Sequence, residues 1–289
     1  MITKYLNHGK NRWLILMYIG VLSIGFTPGF SQNIYNLENS TKYADYLMLS
    51  KQYKLAAEEY ERLVFLDKDN QEFKVKLLQA YRNSGNLGLA INRIYSLGGK
   101  DIFDLPRGLS VEYLSSLVFT DSLGKINLFL DKNPHLTERD KAVFKCSSLL
   151  LGRQYRESNE FCKSATKPKD LLPNKLKLIT KDAMDSKFKS PLLAGTLSTV
   201  VPGLGKVYTK NYMDGLMSFI FVVGSAWQSY KGFKNRGTKS ISGWVFGGIS
   251  LGFYIGNIYG SVKATKRYNN LKYNEINGKV YNFIQHYNF

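Results

Sequence analysis

The chain has 289 residues, with 40 Lys and Arg against 22 Asp and Glu, a formal net charge of +18 and 44% apolar residues. That is room for about two domains with a sizeable core, and the basic balance points to nucleic acid, an anionic membrane surface or the orientation of membrane segments. The charges are spread along the chain with concentrations near 163–189 and 231–272, and no basic run with interleaved aromatics matches a DNA- or RNA-binding module, so nucleic acid is not an expected partner.

Lys4, Lys10 and Arg12 precede an uncharged stretch, 13–26 (WLILMYIGVLSIGF), which Pro28 and Gly29 end; Gly29 and Ser31 are small residues suited to cleavage before Gln32. Residues 1–31 therefore read as a signal peptide, the alternative being an uncleaved anchor, and the remainder is expected outside the cytoplasm of a bacterium. In an oxidising compartment Cys146 and Cys162 are either a disulfide or two buried thiols.

From residue 37 the pattern is helical. In 53–70 (YKLAAEEYERLVFLDKDN), Tyr53, Ala56, Ala57, Tyr60, Leu63 and Val64 recur at spacings of three and four, with Glu58, Glu59, Glu61 and Arg62 opposite. Residues 71–99 read as helix, turn, helix, with Ser84-Gly85-Asn86 at the turn and Gly98-Gly99 at the end. These residues resemble the tetratricopeptide repeat, a 34-residue helical hairpin. Tyr53, Ala56, Tyr60 and the ending LDKDN match a first copy, with Lys68 where the repeat usually has Pro. Leu77, Tyr81, Gly85, Ala90, Ile94 and Leu97 match a second. A generic helical-hairpin domain is the alternative. Residues 110–119 and 124–134 are helical but out of phase, punctuated by Pro106 and Pro134, and 138–164 return to the hairpin pattern with Cys146 on one helix and Cys162 on the next. The resemblance implies a curved array whose concave face binds a peptide or partner protein.

The sequence holds no H-x-x-x-H pair, Cys-x-x-Cys or phosphate loop. Asp101 and Asp104 read as turn residues. No enzyme activity and no cofactor are expected.

Residues 165–189 read as a basic linker interrupted by Pro168 and Pro173, whose 175–184 stretch is an amphipathic helix lying either on anionic headgroups or in solvent. Three apolar segments follow: 191–205, 212–230 with Asp214 as its one charge, and 241–259 with none. The last two approach spanning length, and Trp227, Tyr230, Tyr254 and Tyr259 sit toward their ends. In the last, Gly248, Gly252, Gly256 and Gly260 recur every fourth residue, the spacing that lets membrane helices pack backbone to backbone. The alternative is the core of a soluble domain.

The first segment breaks at Pro202, which removes a backbone donor, and at Gly203 and Gly205, which permit a tight turn. It is expected to lie at the interface or dip in and return; a plain surface loop is the alternative. Pro202, Gly203, Gly205 and Tyr208 resemble the P-G-x-G-x-x-Y opening of small two-span membrane domains. The stretch 190–270 is similar to an uncharacterised domain of exported Bacteroidota proteins often joined to tetratricopeptide repeats. Lys206 and Thr209-Lys210 depart from that pattern. The resemblance implies a membrane hairpin and no activity.

The loop 231–239 and the tail after 260 are both basic, so the positive-inside rule does not by itself choose between two crossings and three. The expected fold is all-α: a tetratricopeptide-like array (37–164), the linker, a membrane helical domain (190–270) and a tail (271–289) forming a short strand or surface helix. The expected function is an inner-membrane scaffold or assembly factor whose periplasmic repeats bind an envelope protein or peptide. The alternative is an oligomeric component, packed through the Gly-rich helix, that assists transport or protein insertion.

Overall fold

The computed structural model describes residues 36–99, 101–165 and 172–287; the signal-peptide reading of 1–31 falls outside them. All the regular structure among the described residues is helical, as thirteen α-helices and two 3-10 turns with no strand. The chain divides into two units, 1–73 and 74–289.

In the first unit α1 (Leu37–Leu49) and α2 (Tyr53–Leu66) form an antiparallel hairpin. Asn36 starts α1 by accepting from the Asn39 N–H at 2.7 Å. Ala44, Ala56 and Ala57 keep the contact between the helices close, while Leu47, Tyr60, Leu63 and Val64 fill it. The buried Tyr60 hydroxyl donates to Asp45, which satisfies the one polar atom this aromatic brings inside. Asn70 caps the following helix, α3 (Gln71–Asn83).

The second unit continues with α4 (Leu87–Leu97), α5 (Arg107–Phe119), α6 (Leu123–Lys132), α7 (Glu138–Leu151) and α8 (Tyr155–Ala165). Helix pairs thus begin at residues 37, 71, 107 and 138, a succession of hairpins compatible with a helical-repeat array. The turns are built alike. Lys51, Gly85, Asp121 and Arg153 all have positive φ, and each is followed by the same bond from the next N–H to the carbonyl five residues before it. That is the Schellman closure of a helix end. The pair α5–α6, out of phase by side-chain pattern, therefore turns as the others do. Pro106 precedes the first turn of α5, where its missing donor costs nothing.

Two expectations are corrected. The helix expected at 175–184 is present as α9 (Asn174–Asp185), but it lies neither on headgroups nor in solvent, since its Leu176, Ile179 and Ala183 are buried in the core of α7 and α8. Its Lys residues lie outside a narrow apolar stripe, so composition hid the packing. The tail is not a strand or a surface helix. It continues α13 (Ile241–Gln285), a single helix of 45 residues, about 67 Å at 1.5 Å per residue. Ile276, Val280, Phe283 and Ile284 enter the same core and contact α5, α7 and α9. Tyr281 stacks on Phe119, and the Tyr287 hydroxyl donates to Asp140 at 2.8 Å.

Between α9 and the apolar segments the chain is clasped. Phe188 stacks between Tyr155 and Tyr273, and the Asn269 amide pairs with both the N–H and the C=O of Lys189. Beyond lie α10 (Pro191–Val200), α11 (Leu204–Tyr208) and α12 (Tyr212–Arg236), joined to α13 through a short 3-10 turn. Helices α12 and α13 run antiparallel.

Candidate functional site: an elbow and an inverted hairpin

The motif residues Pro202, Gly203, Gly205 and Tyr208 form an elbow between α10 and α11. Helix α10 starts with Ser190 capping the Leu193 N–H and Pro191 in its first turn, and ends at Val200 because the proline that follows cannot continue it. Gly203 has φ +90, and a Cβ there would overlap the Gly215 carbonyl on α12. A Cβ on Gly205 would overlap the Ala194 carbonyl. Glycine is therefore required at both positions, for backbone conformation at the first and for close approach at both.

The donors freed by the break are satisfied by side chains of α13 and α10. Gly203 N–H donates to Asn257 Oδ1 at 3.0 Å, and Gly205 N–H to Ser198 Oγ at 3.0 Å. Ser198 in turn donates to Ser261 Oγ at 2.7 Å, and Ser261 to the Asn257 carbonyl at 2.9 Å. Asn257, Ser198 and Ser261 are all buried. Tyr254 donates to the Thr199 carbonyl, and Tyr208 accepts from the Ser190 N–H at 3.3 Å. The last bond ties the end of the elbow to its beginning. The segment thus goes out along α10 and comes back along α11.

The sequence marked the glycines of the turn but not this polar staple. A lone Asn in a Gly-rich stretch carries no periodicity. The one available clue was that an amide in an apolar helix needs a partner.

The hairpin is inside out relative to a water-soluble core. Phe219, Ile220 and Trp227 on α12 and Leu251, Phe253 and Ile255 on α13 are exposed, whereas Ser229, Gly243, Asn257, Ser261 and Thr265 are buried. Among the described helices α13 alone is long and apolar enough to cross a membrane by length and composition, and 11% of its apolar stretch is buried. Helix α12 does not meet that measure, since Asp214, Ser218, Ser225, Gln228 and Ser229 interrupt its apolar run.

The glycine stripe is placed differently from its expected use. The two helices approach through Gly232 against Gly243, with Ser229 donating to the Gly243 carbonyl at 2.7 Å and Ser250 to that of Val222 at 3.0 Å. Around Gly248, Gly252 and Gly256 no atom beyond the adjoining residues and the helix's own backbone lies within 4 Å of where a Cβ would stand, and Gly224 is equally open. Gly260 faces the Lys206 stem. The reason is helical phase: Gly243 and Gly247 lie on the face turned to α12, and the longer stripe lies beside it.

Cys146 on α7 and Cys162 on α8 face each other as buried free thiols, Sγ to Sγ 3.5 Å, with Thr180 of α9 against both. The hydrogen bond from Cys146 holds Cys162 below an ordinary thiol, while that bond and burial push Cys146 up. Asp101 caps a 3-10 turn and Asp104 meets His135 at 2.9 Å. Among the described residues no group of three or more His, Cys, Asp or Glu is arranged to hold a metal.

Set beside known proteins, the chain matches no protein-family model, no curated protein and no solved structure, so the tetratricopeptide and two-span resemblances rest on the residues quoted for them.

Proposed function

We propose that the chain is a non-enzymatic protein of the bacterial cell envelope. Its repeat helices offer a surface to an envelope protein or peptide, and the α12–α13 hairpin anchors them in the inner membrane, so that it acts as a scaffold or assembly factor. The observation that carries this reading is the inverted hairpin. An apolar surface of this extent facing water would be an aggregation liability, whereas facing lipid it is the expected exterior.

The connectivity supports two crossings. The elbow returns to its own start, and α13 runs back into the core that α9 leaves. The repeat core and the C-terminus then share one side, and Lys231, Lys234, Arg236 and Lys239 lie at the other end of the hairpin. Both ends of the hairpin are basic, with Lys263, Lys266, Arg267 and Lys272 at its base, so the periplasmic placement of the repeats rests on the signal-peptide reading of residues 1–31 rather than on the positive-inside rule. The tetratricopeptide-like residues support partner binding as the role of the soluble part.

Alkaline carbonate extraction of membranes holding the full chain tests the anchor. Retention in the pellet is expected, and release into the supernatant would overturn it. A second reading, an oligomeric component assisting transport or insertion, draws on the open face at Gly252 and Gly256. Under it, G252L/G256L should abolish oligomers in detergent and leave the protein in the pellet.

A further inference from the structure

We propose that a basic cavity at the base of the hairpin binds the phosphate of an anionic phospholipid, with an acyl chain lying in the groove beside it; the proposal rests on the membrane reading above. The cavity, about 490 Å³, lies between α11, the start of α12 and the middle of α13. Lys206, Lys263 and Arg267 supply three positive charges to its wall, and Asp214, which accepts from the Asn211 amide at 2.6 Å, supplies one negative charge. Lys263 and Arg267 are four residues apart on α13 and so share a face. Neither forms an ion pair among the described residues.

Position argues for a lipid rather than a soluble anion. Along α13 the exposed residues change from Ile255 and Tyr259 to Lys263, Lys266 and Arg267, the change expected where acyl chains give way to headgroups. A second cavity, about 180 Å³, adjoins the first at Lys206 and is lined by Phe221, Gly252, Phe253 and Gly256. Lys206 stands at the boundary, its ammonium donating to Ser218 at 2.8 Å. Free phosphate would use the first cavity alone. A ligand with an anionic head and an apolar tail uses both, and it accounts for the open faces of Gly252 and Gly256, where any side chain would fill the groove.

The test uses the full chain in phosphatidylcholine vesicles doped with phosphatidylglycerol, followed by native mass spectrometry of retained lipid. Wild type should retain phosphatidylglycerol selectively. K263Q/R267Q should lower that retention about tenfold, while K231Q/K234Q, which removes the same charge at the far end, should change it little. K263R/R267K should keep it, which separates lost charge from lost folding. Equal losses in the two Gln variants would mean diffuse surface attraction and overturn the site. Displacement by excess inorganic phosphate would make it a phosphate site and overturn the amphiphile. Failure of wild type to float with phosphatidylcholine vesicles would overturn the anchor and this proposal together. Intact flotation without any difference between variants would overturn this proposal alone.

Discussion

The two halves of α13 are one helix written in opposite senses. From Ile241 to Tyr259 the exposed residues are apolar or glycine apart from Ser242, and the buried ones are Gly243 and Asn257; from Lys272 to Gln285 the buried residues are Ile276, Val280, Phe283 and Ile284, and the exposed ones include Glu275. Backbone geometry is the same in both, so the difference teaches that the surroundings decide which face carries which chemistry. Water rewards burial of apolar area. Lipid does not, and helices there meet through small residues and hydrogen bonds.

The sharpest way to break this comparison is to remove the same side chain from each half. Ile284 is 0% exposed and Ile255 is 59% exposed. I284A should cost about 4 kcal/mol of stability, and I255A less than about 0.5 kcal/mol, by thermal unfolding of the full chain in detergent. Equal costs would mean that the outer half is an ordinary core helix. Next comes G203A, which adds a left-handed alanine and a clash with the Gly215 carbonyl, for a loss of about 3 kcal/mol. N257A leaves the Gly203 N–H buried without a partner and should cost about 2 kcal/mol, although Asn257 lies in the half where polar residues are otherwise scarce.

The smallest effect is one of pH and touches the inner end only. Burial alone would raise the Asp140 carboxyl, but bonds from Arg107, Thr137 and Tyr287 outweigh it and hold it below its ordinary 3.8. A carboxylate held low contributes stability that is complete above its unfolded value and is lost as pH falls through the folded one. Acidification below about pH 4 should therefore release Tyr287 and increase hydrogen exchange over 276–285, with residues 241–259 unchanged. Y287F should shrink the response.

These contrasts also explain what could be read in advance. The α1–α2 and α3–α4 hairpins were legible because Tyr60, Leu63, Leu77, Ala90 and Ile94 fall on one face each. The elbow was legible because proline and glycine act through the backbone, which needs no partner to be identified. The packing of α9 and the end of α13 was not, because Leu176, Ile179, Val280 and Ile284 are sparse among Lys, Asn and Tyr. A stripe of that kind gains meaning only from what covers it. The glycine stripe was visible, but spacing cannot say which of two adjacent glycine faces meets the neighbouring helix; Gly243 and Gly247 do so, and Gly252 and Gly256 do not.

The continuity of α13 has a mechanical consequence. A domain on a loose tether explores a volume and meets partners in any orientation. Here the helix that leaves the hairpin is the helix that ends in the α5–α9 core, and the Asn269–Lys189 clasp adds a second point of attachment. The hairpin and the α5–α9 core behave as a strut with a fixed standoff. A turn or tilt of the hairpin about its own axis is transmitted as torque to Val280 and Ile284, and a force applied to those core helices reaches Asn257 and the elbow by the same rod.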